Sequence, residues 1–372
     1  MNVLVDTDCG VDDAQALVIL LRAHELGNIC LVGITCVAGN VPLDKVERNV
    51  CAVLDTCGGH AARGIPVFVG ADRPLVAPLV TAEEWHGNDG LGDCDAAVSV
   101  DTTRVMRDEH AAEAIHRLAR EWSVGGPRNG GGLTICTLGP LTNLALALRR
   151  GGDPALPAAL ARLVVMGGAY EARGNATLAA EYNIHADPES AAEVFAAPWK
   201  GGLTLATWEL TQRCGLDSAF MNEWLRGHTP RSSFLRGVTR RLWDMSDMRD
   251  EAHHKMAQVK GTATSTLHSS AAAARASAGF LIPDPLAAAL CVAPELAIDT
   301  VTRGIAVELS GALTRGQTVV DWGGRAISTA PPVVCIVERV DMNALRSLLL
   351  DSVVAHSPGG SEPGTAVAGK PE

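Results

Sequence analysis

The sequence predicts an α/β fold in a single domain, with an open, mostly parallel β-sheet flanked by helices on both faces. Short apolar, β-branched runs alternate with helical stretches along the 372 residues. Several of these runs are apolar throughout, as expected for strands that are buried on both faces. Because this alternation is typical of βαβ units, it favours a parallel sheet between two layers of helices.

Eight apolar runs are predicted strands, since each is short and rich in Val, Ile, Leu or Thr. In chain order they are Val3–Asp6, Ile29–Val37, Ile65–Val69, Leu133–Thr137, Leu163–Met166, Leu203–Thr207, Gly304–Leu309 and Val333–Val337. Helical stretches lie between them, and acidic residues or proline stand at the start of several. The predicted helices are Asp12–Leu26, Asp44–Cys57, Ala111–Trp122, Leu141–Arg150, Pro188–Phe195 and Pro285–Cys291.

The composition is that of a globular protein, with 47% hydrophobic and 20% charged residues. A net charge of −11 argues against nucleic acid as a partner, because phosphate binding needs a basic face. No apolar run reaches the roughly 18 residues of a membrane-spanning helix. The N-terminal residues lack the basic start and longer apolar stretch of a signal peptide. We therefore expect a cytoplasmic protein.

The ten cysteines are scattered without a Cys-x-x-Cys pair. Several lie inside apolar runs, namely Cys30, Cys36, Cys136, Cys291 and Cys335. This pattern favours small buried hydrophobic residues in a reducing compartment over a disulfide or zinc framework.

No shift in composition divides the chain, so we expect one domain over residues 1–356. The segment Ser357–Glu372 is rich in Gly, Pro and Ser, which predicts a disordered tail. The segment Thr262–Gly279 is rich in Ala, Ser and Thr, and it is compatible with a weak helix or a mobile lid.

The strongest chemical signal is an acidic cluster at the first predicted turn. Asp6, Asp8, Asp12 and Asp13 fall within eight residues, between the first strand and the first helix. Open α/β sheets bind their ligands at this edge. Asp12 and Asp13 alone would suit a helix start, but four crowded carboxylates repel one another unless a positive charge lies among them. A hard divalent cation such as Ca²⁺ is therefore expected here.

This cluster admits two other interpretations. An EF-hand loop beginning at Asp6 would need Glu at its twelfth position, where Leu17 stands, and Asp or Asn at its fifth, where Gly10 stands. A phosphatase of the haloacid dehalogenase type also places Asp-x-Asp after its first strand. That interpretation does not account for the pair Asp12-Asp13, and it stays open as an alternative.

Asp6-Thr7-Asp8-x-Gly10-x-Asp12-Asp13-x-x-Ala16-Leu17 closely resembles the N-terminal signature of the nucleoside hydrolases, of the inosine–uridine-preferring type. Further segments resemble that family in the same order along roughly residues 3 to 340. They are Val37-Ala38-Gly39-Asn40, His86-Gly87-x-x-Gly90-Leu91, Thr137 to Asn143, Met166-Gly167-Gly168, Asn175, Glu181 to Glu189, and Asp284-Pro285-Leu286-Ala287. The resemblance implies a Rossmann-like fold and a homodimer or homotetramer.

The resemblance also implies Ca²⁺-dependent hydrolysis of the N-glycosidic bond of ribonucleosides, and it assigns roles by position. The metal ligands would be Asp8, Asp13, the Thr137 carbonyl and Asp284, with Asp6 supporting them from behind. Asp12 would be the general base. The ribose would be held by Asn40, Asn175, Glu181 and Asn183, with Met166 lining the pocket. His86 and Trp85 would lie in a loop on the side of the base.

These residue types suit the implied chemistry. Glycosidic cleavage builds positive charge on the sugar, and carboxylates stabilise that charge. Carboxylate and amide oxygens accept ribose hydroxyls, and we expect the amides also to donate. A missing hydroxyl would leave buried groups unpaired, so 2′-deoxynucleosides should be poor substrates. A non-catalytic nucleoside- or ribose-binding relative is the second hypothesis.

The chain departs from the family pattern at Pro283. Inosine–uridine hydrolases usually carry His before the late Asp, proposed to protonate the leaving base, and a purine-specific branch carries Trp there. Trp85, His254 and His268 are candidates to replace the missing group. The base preference is therefore left open by the sequence.

Overall fold

The computed structural model describes residues 1–94, 100–123, 128, 131–151, 155–259, 279–324 and 333–355. Within these ranges ten strands form one sheet in the order β4-β3-β2-β1-β5-β6-β7-β10-β8-β9. The strands are β1 (Asn2–Thr7), β2 (Cys30–Cys36), β3 (Val67–Val69), β4 (Val105–Met106), β5 (Leu133–Thr137), β6 (Leu160–Met166), β7 (Leu203–Ala206), β8 (Ala297–Val307), β9 (Thr318–Val320) and β10 (Val333–Val340). Pairing is parallel from β4 to β10, and antiparallel between β10, β8 and β9.

Thirteen α-helices are described in the same ranges. They are α1 (Val11–Glu25), α2 (Leu43–Cys57), α3 (Glu83–His86), α4 (Ala111–Trp122), α5 (Thr142–Gly151), α6 (Ala155–Ala159), α7 (Tyr182–Ala186), α8 (Pro188–Ala196), α9 (Trp208–Arg213), α10 (Ser218–Leu225), α11 (Pro230–Val259), α12 (Pro283–Val292) and α13 (Met342–Ser352). None of the described helices is long and apolar enough to cross a bilayer.

The sheet is covered on both faces, which explains why its strands are apolar throughout. In β1, Val3 and Val5 join the core on one face, with α1, α2, α11, α12 and α13, whereas Leu4 joins the core on the other, with α4, α5 and α8. Alternate residues of a strand point to opposite faces, so both sets must be apolar. The helix α1 is buried on nearly all sides because it packs against both the sheet and α12.

The strand order reverses beside β1, and this reversal positions the functional site. After β1 the chain builds β2, β3 and β4 on one side, and it then crosses to β5 on the other. Loops that leave β1 and β5 therefore diverge, and a crevice opens at the carboxyl ends of these strands.

The predicted fold class is confirmed, with differences in the elements. The structure adds the short strands β4 and β9 and the helices α3, α6, α7, α9, α10, α11 and α13, which the sequence analysis did not predict. The strand predicted over Gly304–Leu309 begins earlier, at Ala297, and is antiparallel to β10. All ten cysteines are free thiols and seven are buried, but Cys30 is exposed. Ser357–Glu372, and Thr262–Gly279 except its last residue, lie outside the described residues.

Candidate active site

Four carboxylates meet at the crevice. Asp8 directly follows β1, Asp12 and Asp13 lie in the first turn of α1, and Asp284 lies in the first turn of α12. One carboxylate oxygen each of Asp12, Asp13 and Asp284 lies within 4.8 Å of the others. Burial, reinforced by the neighbouring carboxylates, raises the pKa of Asp8 and of Asp284 well above the usual range. Such a cluster needs either protons or a cation to be stable.

Asp8 is confined by backbone from two neighbouring strands. Its Oδ2 accepts a hydrogen bond from the Asn40 amide at 2.8 Å. A Cβ atom on Gly39 would lie 2.2 Å from Asp8 Oδ2, and one on Gly139 would lie 2.6 Å from Oδ1. The fully buried Oδ1 has no hydrogen-bond partner among the described residues. The loops after β2 and β5 thus hold the Asp8 carboxylate in place, and its Oδ1 keeps the capacity to accept a hydrogen bond or to bind a cation.

Asp13 is held by three donors. Its Oδ1 accepts the Thr7 hydroxyl at 2.5 Å, and its Oδ2 accepts the Gly10 amide and the Asn40 side-chain amide, both at 2.9 Å. The Thr7 hydroxyl in turn accepts the Cys9 amide. These bonds fix the carboxylate at the start of α1. Sequence analysis missed Thr7, although its place between two aspartates was a usable signal.

Asp12 faces the crevice. Its side chain is 14% exposed, and its Oδ1 has no hydrogen bond within the described part of the chain. Burial raises the pKa of Asp12 to about 7, and the neighbouring Asp13 carboxylate adds to the rise. A carboxylate with a pKa near neutrality, open to the crevice, suits the role of a general base.

His86 lies beside Asp12 at the start of α1. Its Nδ1 accepts the Val11 amide at 3.1 Å and lies 3.7 Å from Asp12 Oδ1. Burial, aided by the charge of Arg241 and opposed by that of Asp13, lowers the pKa of His86 to about 4. The imidazole is therefore neutral. Trp85, its neighbour in sequence, is 40% exposed at the surface.

Asp6 supports the cluster from within the sheet. Its Oδ1 accepts the Thr35 hydroxyl at 2.6 Å and the Asn143 amide at 2.8 Å. Burial raises the pKa of Asp6 to about 7, against the lowering effect of these two bonds. Asn143 also donates to the Cys36 carbonyl and accepts the Ala71 amide. One asparagine side chain thereby links α5 to β1, to β2 and to the loop after β3.

Glu181 forms the opposite wall. It is the N-cap of α7, and its carboxylate accepts the amides of Gly168 at 2.8 Å, Asn183 at 2.9 Å and Ile184 at 3.2 Å. Burial raises the pKa of Glu181 to about 6, although these bonds oppose the rise. The sequence pattern predicted no helix at this position. The structure has a short helix instead, since a carboxylate can cap its free amides.

Two buried asparagines donate from their side-chain nitrogens to groups around the crevice. Asn40 Nδ2 donates to Asp13, and Asn183 Nδ2 donates to the Leu138 carbonyl at 2.7 Å and to Met166 Sδ at 3.2 Å. An amide nitrogen carries two hydrogens, and the bond to Asp13 uses one of those of Asn40. That the amides also donate to a ligand therefore stays a prediction.

Tyr182 covers the crevice from the side of α7. Its hydroxyl donates to the Val80 carbonyl at 2.9 Å, and its amide donates to Asn175 Oδ1 at 2.8 Å. Burial, reinforced by the charges of Asp8 and Glu181, raises the pKa of the tyrosine. Asn175 itself is exposed and contacts the backbone of Tyr182. Sequence analysis did not single out Tyr182.

The residues fit a hard divalent cation. The donor set is entirely oxygen, and the buried Oδ1 atoms of Asp8 and Asp12 lack hydrogen-bond partners in the described structure. Ca²⁺ prefers six to eight such oxygens, mostly from carboxylates and carbonyls. Asp8, Asp13 and Asp284 would hold the ion, and Thr137, the last residue of β5, pairs with Asp6 at the same edge.

The crevice favours positive charge and hydroxyl donors. The described carboxylates around it are acceptors, and the side-chain nitrogens of Asn40 and Asn183 each donate within the protein. These carboxylates repel the negative charge of a phosphate ester wherever no cation lies between them. The lining by itself thus favours a sugar over a phosphate ester, the ligand of the phosphatase alternative.

Comparison with known proteins agrees with this chemistry. The sequence profile of the inosine-uridine preferring nucleoside hydrolases matches residues 3–347. A pyrimidine-specific ribonucleoside hydrolase of Enterobacter sp. (strain 638) is 31% identical over 96% of this chain and 99% of that protein. The inosine-uridine preferring nucleoside hydrolase of Crithidia fasciculata is 29% identical over 95% of this chain and 97% of that protein. An uncharacterized protein of Schizosaccharomyces pombe is 36% identical over 53% of this chain and 58% of that protein.

Solved structures show the same fold. An inosine-guanosine nucleoside hydrolase superposes with a TM-score of 0.77 at 27% identity, over 95% of this chain and 98% of that one. A purine-preferring ribonucleoside hydrolase from Gardnerella vaginalis superposes with a TM-score of 0.72 at 26% identity, over 95% and 98% respectively. The chain therefore belongs to the inosine-uridine preferring nucleoside hydrolase family, enzymes that hydrolyse the N-glycosidic bond of ribonucleosides.

Proposed function

We propose that this enzyme hydrolyses ribonucleosides to ribose and free base in a Ca²⁺-dependent reaction of nucleoside salvage, with Asp12 as the general base. The observation that carries the proposal is the pair of buried, unpartnered Oδ1 atoms of Asp8 and Asp12 in an acceptor-lined crevice. Asp8, Asp13, the Thr137 carbonyl and Asp284 would hold the ion. When bound, Ca²⁺ supplies positive charge that orients oxygen ligands and lowers the pKa of water.

The side chains of the crevice have separate roles in proton transfer, ribose binding and charge stabilisation. Asp12 removes a proton from the attacking water through its Oδ1, which has no hydrogen bond within the described part of the chain. Glu181 and the oxygens of Asn40 and Asn183 accept the ribose hydroxyls, while Met166 packs beside the sugar. The surrounding carboxylates stabilise positive charge as it develops on the ribose.

Several finer expectations carry over as proposals. Asn175 fixes the ribose wall through its bond to the Tyr182 amide. His86 and Trp85 would form the loop on the side of the base, as the resemblance implies, and the 3.7 Å between His86 Nδ1 and Asp12 Oδ1 supports this position for His86. The ten free thiols support a reducing compartment, the cytoplasm. The family resemblance supports a homodimer or homotetramer, and the composition of residues 357–372 supports a disordered tail after a domain of residues 1–356.

The test is the release of reducing sugar from inosine, guanosine, adenosine, uridine and cytidine, with Ca²⁺ and with chelator. We expect release only with the metal. Asp12→Asn should lower kcat by about 100-fold or more while nucleoside binding persists, since a general base contributes roughly 10²–10⁴-fold. Asp299→Asn, at a carboxylate of β8 whose side chain is 46% exposed, is the matched control. Nucleoside binding without release from any substrate would instead identify a binding protein.

A further inference from the structure

The proposed reaction needs a destination for the electron pair of the broken bond. When the C1′–N bond of a neutral nucleoside breaks, the pair stays on the ring nitrogen, which must then take a proton or become negatively charged. A general acid that supplies this proton contributes roughly 10²–10⁴-fold to the rate. The substrate range therefore depends on whether the crevice contains such an acid.

Two candidate donors at the crevice are weak acids in the arrangement that the structure shows. His86 Nδ1 accepts the Val11 amide at 3.1 Å, so the single proton of its neutral ring lies on Nε2, and the more acidic imidazolium could form only by breaking that bond. The Tyr182 hydroxyl donates its only proton to the Val80 carbonyl at 2.9 Å, and it would have to leave that carbonyl before it protonated a base.

The other described groups near the crevice do not supply the proton in place of His86 or Tyr182. Pro283 opens α12 directly before Asp284 and has no titratable group. Arg241 lies near His86, but it donates to Asp93 and to the Glu84 carbonyl, both at 3.1 Å, and a guanidinium does not release its proton. The described carboxylates of the crevice are assigned to the cation, the ribose and the attacking water.

The charge of the crevice adds a second argument. Six carboxyl groups lie in or directly behind it, and when more than two of them are ionised the crevice stays negatively charged even with a divalent cation bound. They are Asp6, Asp8, Asp12, Asp13, Glu181 and Asp284, of which all but Asp12 are 3% exposed or less. A cleft with an excess of one sign of charge concentrates ligands of the opposite sign.

We infer that the preferred substrates of this enzyme are ribosides whose base carries a positive charge before cleavage, such as N-ribosylpyridinium or N7-alkylated purine ribosides. The inference rests on the proposed hydrolase function. On cleavage, the electron pair of the C1′–N bond neutralises the cationic ring, which departs without needing a proton. The water oxygen bonds to C1′ and one water proton passes to Asp12, so the products are ribose, a neutral base and one proton.

The test compares kcat/KM for N-ribosylnicotinamide with that for inosine and uridine. It also compares 7-methylguanosine with guanosine, at a slightly acidic pH where the methylated base stays cationic. Sugar release is measured on the full chain with Ca²⁺, and the rate without enzyme is subtracted. We expect the cationic substrates to be favoured by about 100-fold or more, the contribution of a general acid that the described part of the crevice does not supply. Asp12→Asn should abolish release from both classes, which places both reactions in this crevice.

The outcomes separate the inference from the proposed function. Comparable values for neutral and cationic ribosides would overturn the inference while leaving the hydrolase intact. A fall in kcat/KM at high pH that is confined to the neutral substrates, and removed by His254→Ala or His268→Ala, would also overturn it by identifying an acid. Absence of sugar release from every riboside would overturn the hydrolase proposal itself.

Discussion

At the scale of single residues, the placement of Asp8 depends on the absence of side chains around it. Gly39 and Gly139 approach its two carboxylate oxygens so closely that a Cβ atom on either would overlap them. The buried oxygens cannot move aside, because β1 is enclosed by β2 and β5. These glycines are therefore part of the proposed metal site although neither offers it a side chain.

This contact gives a prediction for Gly39→Ala. The new methyl group would lie 2.2 Å from Asp8 Oδ2 and displace it, so Ca²⁺ affinity should fall by about 10–100-fold, as when a group that supports a ligand is removed. Calorimetric titration with Ca²⁺ measures the loss. Gly237→Ala in α11 is the control, because the nearest atom to its added Cβ, Cys94 Sγ, is 3.8 Å away. Equal affinity in the two variants would show that Asp8 is not a ligand.

Asn143 gives a second prediction at this scale. Asn143→Ala removes one bond to Asp6, one to the Cys36 carbonyl and one from the Ala71 amide, all of which are buried. Leaving such groups unsatisfied should lower the free energy of unfolding by about 2–4 kcal/mol. Urea unfolding checks this value. A loss below about 0.5 kcal/mol, the level of ordinary surface substitutions, would contradict the proposed linking role.

The sequence indicated some of these residues and not others, for a physical reason. Asp8, Asp12 and Asp13 were identified because crowded carboxylates repel one another unless a positive charge lies among them. Thr7 and Tyr182 did not, because their roles come from hydrogen bonds to partners that only the folded chain brings near. The orientation of the Asn40 and Asn183 amides likewise depends on their folded neighbours.

At the scale of elements, α7 and the loop between β3 and α3 meet above the crevice. Tyr182 opens α7, and its hydroxyl bonds to the Val80 carbonyl in that loop. Leu75 of the same loop donates its amide to Asp187, the N-cap of α8. Two consecutive short helices thus hold the loop at both its ends.

The hydrogen bond of Tyr182 predicts the effect of Tyr182→Phe. The variant keeps the ring but releases the loop at Val80, so KM for nucleosides should rise by about 2–10-fold, the value of one hydrogen bond. The kcat should change less, because the ring has no direct part in bond cleavage. Steady-state kinetics separate the two constants. A fall in kcat at constant KM would indicate a role in the chemistry instead.

Prediction from the sequence worked best for the long apolar elements. Burial leaves a clear pattern of apolar residues in the sequence, continuous where an element is buried on both faces and periodic where one side is buried. This pattern identified the strands β1, β5 and β6 and the helices α1 and α2. The helix α11 was missed, since its apolar residues Phe234, Leu235 and Val238 are set among many charged ones. The helix α7 was missed because one turn is too short for a periodic pattern.

At the scale of the molecule, the acidic crevice couples stability to metal and to pH. In metal-free protein, Asp6 and Asp12 have a pKa of about 7 and Glu181 of about 6, above the values near 4 of an unfolded chain. The folded state therefore binds more protons than the unfolded chain between about pH 4 and pH 7. The stability that these three groups contribute is fully present below about pH 4 and is lost as pH rises through about 6 to 7.

Thermal unfolding in chelator should therefore show a Tm that falls as pH rises from about 5 to 8. Saturating Ca²⁺ should raise Tm, with the largest gain at the higher pH, because the ion binds the ionised carboxylates of the folded state. Asp284→Asn should reduce both effects. A Tm in chelator that rises with pH over this interval would contradict the buried acidic cluster.

The polarity of the sheet has a practical consequence. The described functional residues lie at the carboxyl ends of the strands, whereas Met1 lies at the start of β1, six strand residues away. Those residues span about 20 Å at 3.3 Å each. An enzyme tethered to a solid support through its first residue would therefore hold its crevice away from that support and open to substrate. For an immobilised riboside-cleaving reagent, the amino terminus is the natural point of attachment.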